Sequence, residues 1–374
     1  MPRPIRILEI VNVMDRAGLE TMLMNHYRHM DRSSVQLDFL THRPAEGAYD
    51  KEIRELGGRV FHAPRLYPQN CLTYRRYMRA FFAEHGYPVV HSHIDAMSAF
   101  PLAVARSCGV TVRVAHSHND SVDRDLKYPI KEIARRRLPG IATHYCACSE
   151  AAGIFLFGEE NRDKLRIVKN AIDLSGFAFD TDCRESVRAE LGVGDGQLLI
   201  GHVGRFSAVK NQVFLIDVLA ALIAHEDKDA VLVLVGDGEL RAKVERRAAS
   251  AGLSANVRFL GLRDDVARLM QGFDLLAFPS LHEGIPLTLI EAQASGLPVL
   301  VSDKVSAEAL VLPNCVQMAL SESAGAWAMK VCELASDGRA AGCVDALAAA
   351  GYEINSSAEK LQEFYLSLYK GTQR

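Results

Sequence analysis

The 374-residue sequence predicts an α/β protein of two consecutive domains, each with a parallel sheet and helices on both faces. Three observations predict this class. Short apolar runs alternate with helical patterns from the N-terminus onward, the alternation restarts after a linker near residues 170–175, and the chain is longer than a single hydrophobic core supports. In open parallel sheets, ligands bind beyond the carboxyl ends of the strands, so polar residues at those ends are the candidates for function.

The composition is that of a soluble globular protein. Charged residues make up 24% and hydrophobic residues 49% of the chain, and no apolar run approaches the length of a membrane span. The N-terminal MPRPIRILEIVNV lacks a cleavage site and is typical of a first strand rather than a leader. Eight cysteines without a C-x-x-C pair indicate reduced thiols in a cytosolic protein.

The two halves differ in charge. The first half is basic and holds ten of the thirteen histidines, whereas the second half is acidic. Such an asymmetry indicates that the halves do different work. We place the boundary so that residues 1–170 form the first domain and 171–356 the second, with an amphipathic helix at 357–369 that stands apart from both.

The elements of the first domain follow from apolar runs of strand length separated by helical patterns. Helices are predicted at 20–30, 49–58, 72–84 and 96–107, the second of them ended by two glycines. The predicted strands, in order, are IRILEIVNV, VQLDFLT, RVFHAP, PVVHSHI, VTVRVAHSHN, HYCACSE and RIVKN.

The second domain repeats the alternation. A short helix ends at Gly192, a longer one covers 212–225, and another runs to Ser250. Its predicted strands are QLLIGHVG, AVLVLVGDG, VRFLG, LLAFPS and PVLVSD.

The stretch from Ala277 to Asp303 is predicted to form strand, loop, helix and strand. Pro286 suits the first helical position, and Gly296 ends the helix. Glu283 precedes the helix and Glu291 lies inside it, and the N–H groups after Gly284 stand at a positive helix end that suits an anion. The pair could hold a ligand with a phosphate and several hydroxyls, or it could be two solvated glutamates on an amphipathic helix.

Other motifs narrow the chemistry. VGDGELR carries Arg241 where a dinucleotide fingerprint needs its third glycine, so hydride transfer is disfavoured. No P-loop is present in the sequence either. Arg205 and Lys210, between a strand and a helix, fit a diphosphate leaving group, or else they are surface charges. His116 ends a strand within a histidine cluster; we interpret it as a cleft residue, with a structural role as the alternative. A metal site is disfavoured, because among the carboxylates only Asp95 and Asp120 have a spacing that supports one.

Five motifs carry a resemblance to a known family. HEGIPLTLIEAQASGLPVLVSD, VGRFSAVKN, VGDGEL, VKNAID and AHSHN stand in the order in which the family 4 retaining glycosyltransferases have them. The resemblance runs from about Arg6 to Tyr369, and AHSHN and CSEAAGIFLFG look most like the bacterial exopolysaccharide or capsule members. It implies the GT-B fold, with two Rossmann-like domains facing across a cleft, and a C-terminal segment, 357–374, that crosses back to the first domain.

The resemblance also implies roles for individual residues. His116 and Glu283 would be the catalytic contacts, with His116 near the reacting sugar. Arg205 and Lys210 would bind the donor diphosphate, and Glu291 the ribose hydroxyls. The donor-binding positions implied are Gly18, Arg205, Lys210, Gly236, Arg263, Gly284, Ile285, Pro286 and Glu291. Neither a metal nor a cofactor is expected, because cationic side chains and a helix end replace the metal.

The sequence departs from the family pattern in three places. Ala17 replaces the first glycine of the first loop, which could narrow the approach to the phosphates, and Asn170-Ala171 replaces the usual Asn-Gly. The residues after VSDKVSAEALV also differ from the commonest version, so that part of the donor pocket is not defined by the resemblance.

The leading hypothesis is a metal-independent hexosyltransferase that moves a sugar from a nucleotide-diphosphate donor, a UDP-sugar, to a glycan or lipid-linked acceptor in exopolysaccharide or capsule biosynthesis. The alternatives are a nucleotide-sugar epimerase of the same fold and a catalytically silent scaffold of a polysaccharide assembly complex. Nucleic acid is not expected as a partner. We expect a cytoplasmic protein whose basic segment at 124–138 either contacts the anionic inner face of the membrane or is a solvated surface.

Overall fold

A computed structural model describes residues 4–119, 128–194, 196–225 and 229–372. The described residues fall into two compact units. The first unit comprises Met1–Ala171 together with Ile354–Arg374, and the second comprises Ile172–Glu353. The two ends of the second unit meet where Ile172 N–H donates to the Tyr352 carbonyl at 3.0 Å. The second unit therefore begins one residue later and ends three residues earlier than the predicted second domain, 171–356.

The first unit is built on a parallel sheet of seven strands in the order β3-β2-β1-β4-β5-β6-β7. The strands are β1 (Ile5–Val11), β2 (Val35–Thr41), β3 (Val60–His62), β4 (Val89–Ser92), β5 (Val112–Ser117), β6 (His144–Ala147) and β7 (Leu165–Ile167). The helices between them are α1 (Gly18–His29), α2 (Asp50–Glu55), α3 (Cys71–His85), α4 (Ala99–Ser107), α5 (Tyr128–Arg137) and α6 (Glu150–Phe157). From β1 the chain adds β2 and β3 on one side of the sheet and then β4 to β7 on the other side. The switch point, where ligands bind in such sheets, therefore lies between β1 and β4.

The second unit is built on a parallel sheet of six strands in the order β10-β9-β8-β11-β12-β13. The strands are β8 (Leu198–Val203), β9 (Ala230–Val235), β10 (Val257–Gly261), β11 (Leu275–Phe278), β12 (Val299–Ser302) and β13 (Cys315–Met318). The helices are α7 (Thr181–Leu191), α8 (Gln212–His225), α9 (Arg241–Ser250), α10 (Val266–Gly272), α11 (Leu287–Ala294), α12 (Ala324–Asp337) and α13 (Cys343–Ala349). Its switch point lies between β8 and β11.

The last helix, α14 (Ile354–Thr372), belongs to the first unit. It packs along α1, where Ser357 Oγ lies 2.9 Å from His26 Nε2 and the Gln362 side chain accepts a hydrogen bond from Asp31 N–H at 2.7 Å. Tyr365 in its middle is fully buried. The helix therefore begins earlier and ends later than the sequence pattern predicts, and it covers one face of the first sheet.

Both sheets are buried on both faces, which explains why their strands have near-continuous apolar sequences. In β1, neighbouring residues alternate between two apolar layers: Leu8 and Ile10 pack into one, Ile7 and Val11 into the other. The predicted α/β class with two parallel-sheet domains is confirmed. Within the described ranges, we find no helix with both the length and the apolar composition needed to cross a bilayer.

Candidate active site

Two loops meet at the switch point of the second sheet, residues 204–211 after β8 and residues 279–286 after β11. Leu281 N–H donates to the Val209 carbonyl at 2.7 Å, and the Asn211 side-chain amide donates to the Pro279 carbonyl at 3.3 Å. Asn211 adopts a φ of 54°, which asparagine tolerates better than most residues. These bonds fix the two loops side by side, and we call them the switch-point loops.

Lys210 and Glu283 form an ion pair between the switch-point loops. Lys210 Nζ lies 2.7 Å from Glu283 Oε1, and the two side chains are only 17% and 19% exposed. The ammonium also lies 4.4 Å from the centre of the Phe278 ring, a cation–π contact. A pair this well shielded is screened less by salt than a surface pair, so one positive and one negative group hold fixed positions at the edge of the sheet.

The backbone of Glu283 is held from its other side as well. Its N–H donates to the Lys304 carbonyl at 3.2 Å, and its carbonyl accepts from Ser306 N–H at 3.1 Å. Both partners follow β12. The Glu283 carboxylate is therefore positioned by the ends of three adjacent strands.

The glycines after β9 allow the neighbouring loop to pack closely. A Cβ on Gly236 would lie 2.3 Å from the Gly204 carbonyl oxygen, and one on Gly238 would lie 2.4 Å from that of Phe206. Gly236 also has a φ of 128°, which only glycine adopts readily. Arg205 lies between Gly204 and Phe206, and 75% of its side chain is exposed. Its Nη2 lies 3.3 Å from Glu239 Oε2. The guanidinium is therefore accessible to solvent, on the same switch-point loop as Lys210.

The helix that follows Glu283 begins one residue later than the sequence predicts. Pro286 is the N-cap, not the first helical residue, because its ψ of 131° is extended. Its carbonyl accepts from Leu289 N–H at 3.1 Å, while Ile285 before it is buried in the core and Gly284 is partly exposed. Glu291, within α11, is partly exposed, and burial of its carboxyl raises its pKa to about 7.

Arg263 is engaged with carboxylates of the protein. Its Nε lies 2.7 Å from Asp265 Oδ1 and its Nη2 lies 3.2 Å from Glu190 Oε1. The hydrogen bond to Asp265 raises the pKa of the guanidinium further above its usual range. This network ties the end of β10 to α7, so a donor contact by Arg263 stays a prediction that would need the guanidinium to exchange partners.

In the first unit, polar side chains gather beneath the carboxyl ends of β1, β4 and β5. The group consists of Glu9, His91, His93, His116, His118 and Tyr365, and we call it the histidine cluster. Glu9, His91, His93, His116 and Tyr365 are at most 2% exposed. Burial raises the pKa of Glu9 to about 8 and lowers that of His91 and of His118 to about 3, so at neutral pH the imidazoles are uncharged.

A chain of hydrogen bonds fixes the tautomer of His116. Glu9 is protonated at neutral pH, and its proton lies on Oε2 toward His93 Nε2, because Oε1 accepts the Tyr365 hydroxyl hydrogen at 2.8 Å. The Tyr365 oxygen then accepts from His91 Nδ1 at 2.7 Å. His91 Nε2 is then an acceptor, and His116 Nδ1 donates to it at 3.2 Å. The lone pair therefore sits on His116 Nε2, which is buried and has no hydrogen-bond partner among the described residues. With His116 only 1% exposed, the structure places it inside the first unit and not in an open cleft, so its contact with the reacting sugar stays a prediction.

The histidine cluster also has the composition of a metal site. One ring nitrogen each of His91, His93 and His116 lie within 4.8 Å of one another. However, His93 Nε2 lies 2.7 Å from Glu9 Oε2 and its Nδ1 lies 3.0 Å from His118 Nε2. A metal would have to break these bonds, and the cluster is described more simply as a hydrogen-bonded network.

Comparison with known proteins decides the family. Models described as "Glycosyl transferases group 1" and "Glycosyltransferase Family 4" match residues 184–338 and 16–175. A relative from Bacillus subtilis (strain 168), "Putative glycosyltransferase EpsF", is 41% identical over 341 residues, covering 89% of this chain and 88% of the relative. The chain belongs to the family 4 glycosyltransferases.

Solved structures share the fold of this glycosyltransferase. Anabaena Alr3699/HepE in complex with UDP has a TM-score of 0.78 at 20% identity, over 97% of the glycosyltransferase and 100% of HepE. WaaG, a glycosyltransferase involved in lipopolysaccharide biosynthesis, has a TM-score of 0.74 at 19% identity, over 96% and 99% of the two chains. The likeness establishes the GT-B fold with two Rossmann-like domains.

The structure brings several of the implied site residues together. In the second unit of the glycosyltransferase, Lys210 and Glu283 are in direct contact, and Arg205 and Gly236 lie on adjoining loops. In the first unit, Gly18 is the first residue of α1 and is exposed; a Cβ there would meet no atom within 4 Å, so the described backbone does not itself require glycine. Its phosphate role stays a prediction.

Three residues of the candidate site escaped the sequence interpretation. Glu9 was detectable, because a carboxylate inside the apolar run IRILEIV needs a buried partner. Tyr365 could not be detected from the sequence, because 356 positions separate it from Glu9, its hydrogen-bond partner. His202 in β8 donates Nδ1–H to the Ala277 carbonyl at 2.9 Å, which leaves a buried Nε2 lone pair near Lys210 with no partner among the described residues. Burial lowers its pKa to about 4, so it is neutral.

We expect Tyr365→Phe to destabilise the first unit of the glycosyltransferase. The change leaves Glu9 Oε1 and His91 Nδ1 buried without their partner, which costs about 1–3 kcal/mol of unfolding free energy for each unsatisfied group. Chemical denaturation followed by circular dichroism measures the loss. The matched control is Tyr352→Phe, which removes the hydrogen bond to the Glu308 carbonyl at 3.2 Å in the second unit. Equal losses in the two variants would contradict the importance of the network.

Proposed function

We propose that the glycosyltransferase moves a hexose from a UDP-sugar to a glycan or lipid-linked acceptor in exopolysaccharide biosynthesis, with retention of configuration. The observation that carries the proposal is the Lys210–Glu283 pair, held at 2.7 Å at the switch point of the second sheet. It supplies a fixed cation for a diphosphate and a fixed carboxylate for sugar hydroxyls, side by side. The exposed Arg205 adds a second cation on the same loop.

The choice of nucleotide is supported by relatives. HepE of the same fold is known in complexes with UDP and with UDP-glucose. An Escherichia coli relative, 26% identical over 229 residues that cover 58% of each chain, is the UDP-Gal:alpha-D-GlcNAc-diphosphoundecaprenol alpha-1,3-galactosyltransferase. These relatives favour uridine among the bases. Exopolysaccharide as the pathway is supported by the resemblance of AHSHN and CSEAAGIFLFG to the exopolysaccharide members of the family.

In the proposed reaction, the bond between the anomeric carbon of the hexose and the diphosphate oxygen breaks, and a bond to the acceptor hydroxyl oxygen forms. The hydroxyl proton passes to the departing diphosphate on the same face of the sugar, which retains the configuration. Lys210 and Arg205 stabilise the charge on that leaving group. The carboxylate of Glu283 accepts hydrogen bonds from sugar hydroxyls, while Gly284 and Ile285 direct N–H groups to the phosphate.

A donor panel tests the proposal. The full chain is incubated with UDP-, GDP- and ADP-hexoses, with and without a synthetic diphosphate-linked N-acetylhexosamine acceptor, and nucleotide release and product anomers are measured. We expect acceptor-dependent release of UDP and an axial or equatorial anomer that matches the donor. Conversion of the donor without any acceptor would indicate an epimerase, and no turnover with any donor would favour the scaffold.

Glu291 should make donor binding depend on pH. Only its ionised carboxylate accepts hydrogen bonds from both ribose hydroxyls, and its pKa is about 7. Lowering the pH from 8 to 6 protonates it, so we expect the affinity for UDP to fall by up to about tenfold. Calorimetry across this range measures the change, and Glu291→Gln, which does not titrate, corrects for ionisation of UDP itself. The same slope in both proteins would contradict the ribose role.

We also propose that α5 contacts an anionic membrane surface. The described part of the predicted segment holds four basic residues: Lys131, Arg135, Arg136 and Arg137. The Arg136 side chain is 75% exposed, and the neighbouring Ile133 is 54% exposed. Residues 124–127 lie outside the described residues. We expect sedimentation with vesicles that contain anionic lipid and not with neutral vesicles, and weaker binding for Arg136→Gln with Arg137→Gln, at about 1 kcal/mol per charge. Equal binding to both vesicle types would contradict the contact.

A further inference from the structure

A cationic pocket of about 380 Å³ opens at the carboxyl ends of the first strands of the first unit. Arg43 follows β2, Arg65 follows β3, and Lys131 reaches it from α5. Among the described residues that line it, these three are charged and all are positive; Asn12 and Tyr67 add polar groups. A pocket with this lining fits an anionic group such as a phosphate or a diphosphate.

An apolar groove of about 550 Å³ runs between α3, α4 and α5 of the same unit. Leu72, with 75% of its surface exposed, and Ile133, with 54%, both face it. Further apolar lining comes from Phe100, Val104, Ile130 and Ile141. Large aliphatic side chains left together in a concave surface, rather than scattered singly, mark a site that an apolar ligand covers.

The cationic pocket and the apolar groove adjoin. Leu66 lines both of them. His42 of the pocket and Tyr74 of the groove share a hydrogen bond of 2.8 Å, so one wall is common to the two. Helix α5 contributes Lys131 to the pocket and Ile130 and Ile133 to the groove. A single ligand can therefore occupy both, with its charged part in one and its apolar part in the other.

We propose that the cationic pocket and the apolar groove together bind the acceptor as an amphiphile, a hydrocarbon chain joined to a sugar through phosphate or diphosphate. The inference rests on the proposed function, because it names the class of acceptor. The phosphate lies among Arg43, Arg65 and Lys131, and the first isoprenoid or acyl segment fills the groove. Arg75, Arg106 and Arg137 also line the groove and add positive charge around its apolar floor. A free glycan acceptor would leave the groove empty.

Calorimetric titration of the full chain with farnesyl diphosphate, inorganic diphosphate and farnesol tests the inference. Saturating UDP is present throughout, so that the proposed donor site does not take up diphosphate. We expect one saturable site with at least about tenfold higher affinity for farnesyl diphosphate than for either part alone, since the two contacts add when one molecule makes both. Equal affinities for farnesyl diphosphate and diphosphate would overturn the groove assignment.

Two pairs of substitutions separate the parts of the site. Leu72→Ser with Ile133→Ser should lower the affinity for farnesyl diphosphate about tenfold and leave that for diphosphate unchanged. Arg43→Gln with Arg65→Gln should lower both affinities. The controls are Ile167→Ser, an exposed isoleucine in the same unit outside the groove, and Arg79→Gln, an exposed arginine on α3 outside both. A loss no larger than that of the controls would overturn the inference.

The UDP titration that precedes these measurements distinguishes the two failures. If UDP binds and farnesyl diphosphate does not, the amphiphile inference fails and the proposed donor site stands. If UDP itself does not bind, the proposed function fails first.

Discussion

Replacing Lys210 with alanine should reduce turnover about 10²- to 10³-fold, the range seen when one preorganised charge-stabilising group is removed from an active site. Two effects act together. In the proposed reaction the diphosphate leaving group loses a cation whose position is fixed by Glu283 at 2.7 Å and by the Phe278 ring. The Glu283 carboxylate is also left partly buried without its partner, so that it repels the diphosphate instead of neutralising Lys210.

Steady-state kinetics with the donor identified by the panel, together with UDP calorimetry, measures this loss. The matched control is Lys243→Ala, an exposed lysine on α9, which should keep wild-type turnover. Circular dichroism and the unfolding midpoint show that both variants are folded. If folded Lys210→Ala kept a third or more of the turnover, the assignment of the diphosphate site would be wrong.

Glu283→Ala should also lower turnover, by about 100-fold, but with the opposite effect on the nucleotide. In the proposed reaction the carboxylate accepts hydrogen bonds from the sugar, which UDP lacks. Removing it frees Lys210 from its ion pair, so the affinity for UDP should stay the same or increase. The combination of slow turnover and undiminished UDP binding is what separates a sugar contact from a phosphate contact.

The same two assays measure the Glu283 effect. Glu322→Ala, an exposed glutamate of the second unit, is the control for removal of a negative charge. A parallel loss of UDP affinity and turnover in Glu283→Ala would mean that the carboxylate supports the loop and does not contact the sugar, because its backbone already bonds to residues after β12.

Much of the fold follows from the sequence because parallel strands buried on both faces have to be apolar throughout. AVLVLV in β9 and LLAF in β11 carry that signature, and Gly236 and Gly238 mark the turn after β9. Helix limits were less well defined. Pro286 fits both the N-cap and the first helical position, and only its ψ angle distinguishes the two.

The candidate site is predictable where its parts lie close along the chain and less so elsewhere. The pattern after β11 identifies Glu283, and the strand end identifies His116. Other contacts of the candidate sites come from distant segments: Tyr365 reaches Glu9 from α14, and Glu190 reaches Arg263 from α7. Such contacts depend on how the helices pack on the sheets, and a single sequence has no local signal for them.

Calorimetric titration of the wild-type chain and of Lys210→Ala with UDP, GDP and ADP tests the central claim most directly. We predict that UDP binds the wild-type chain with clear preference over GDP and ADP, and that Lys210→Ala loses most of this affinity. Preference for GDP or ADP would contradict the uridine donor. Absence of binding by all three nucleotides would contradict the nucleotide-diphosphate sugar as donor and, with it, the role given to the Lys210–Glu283 pair.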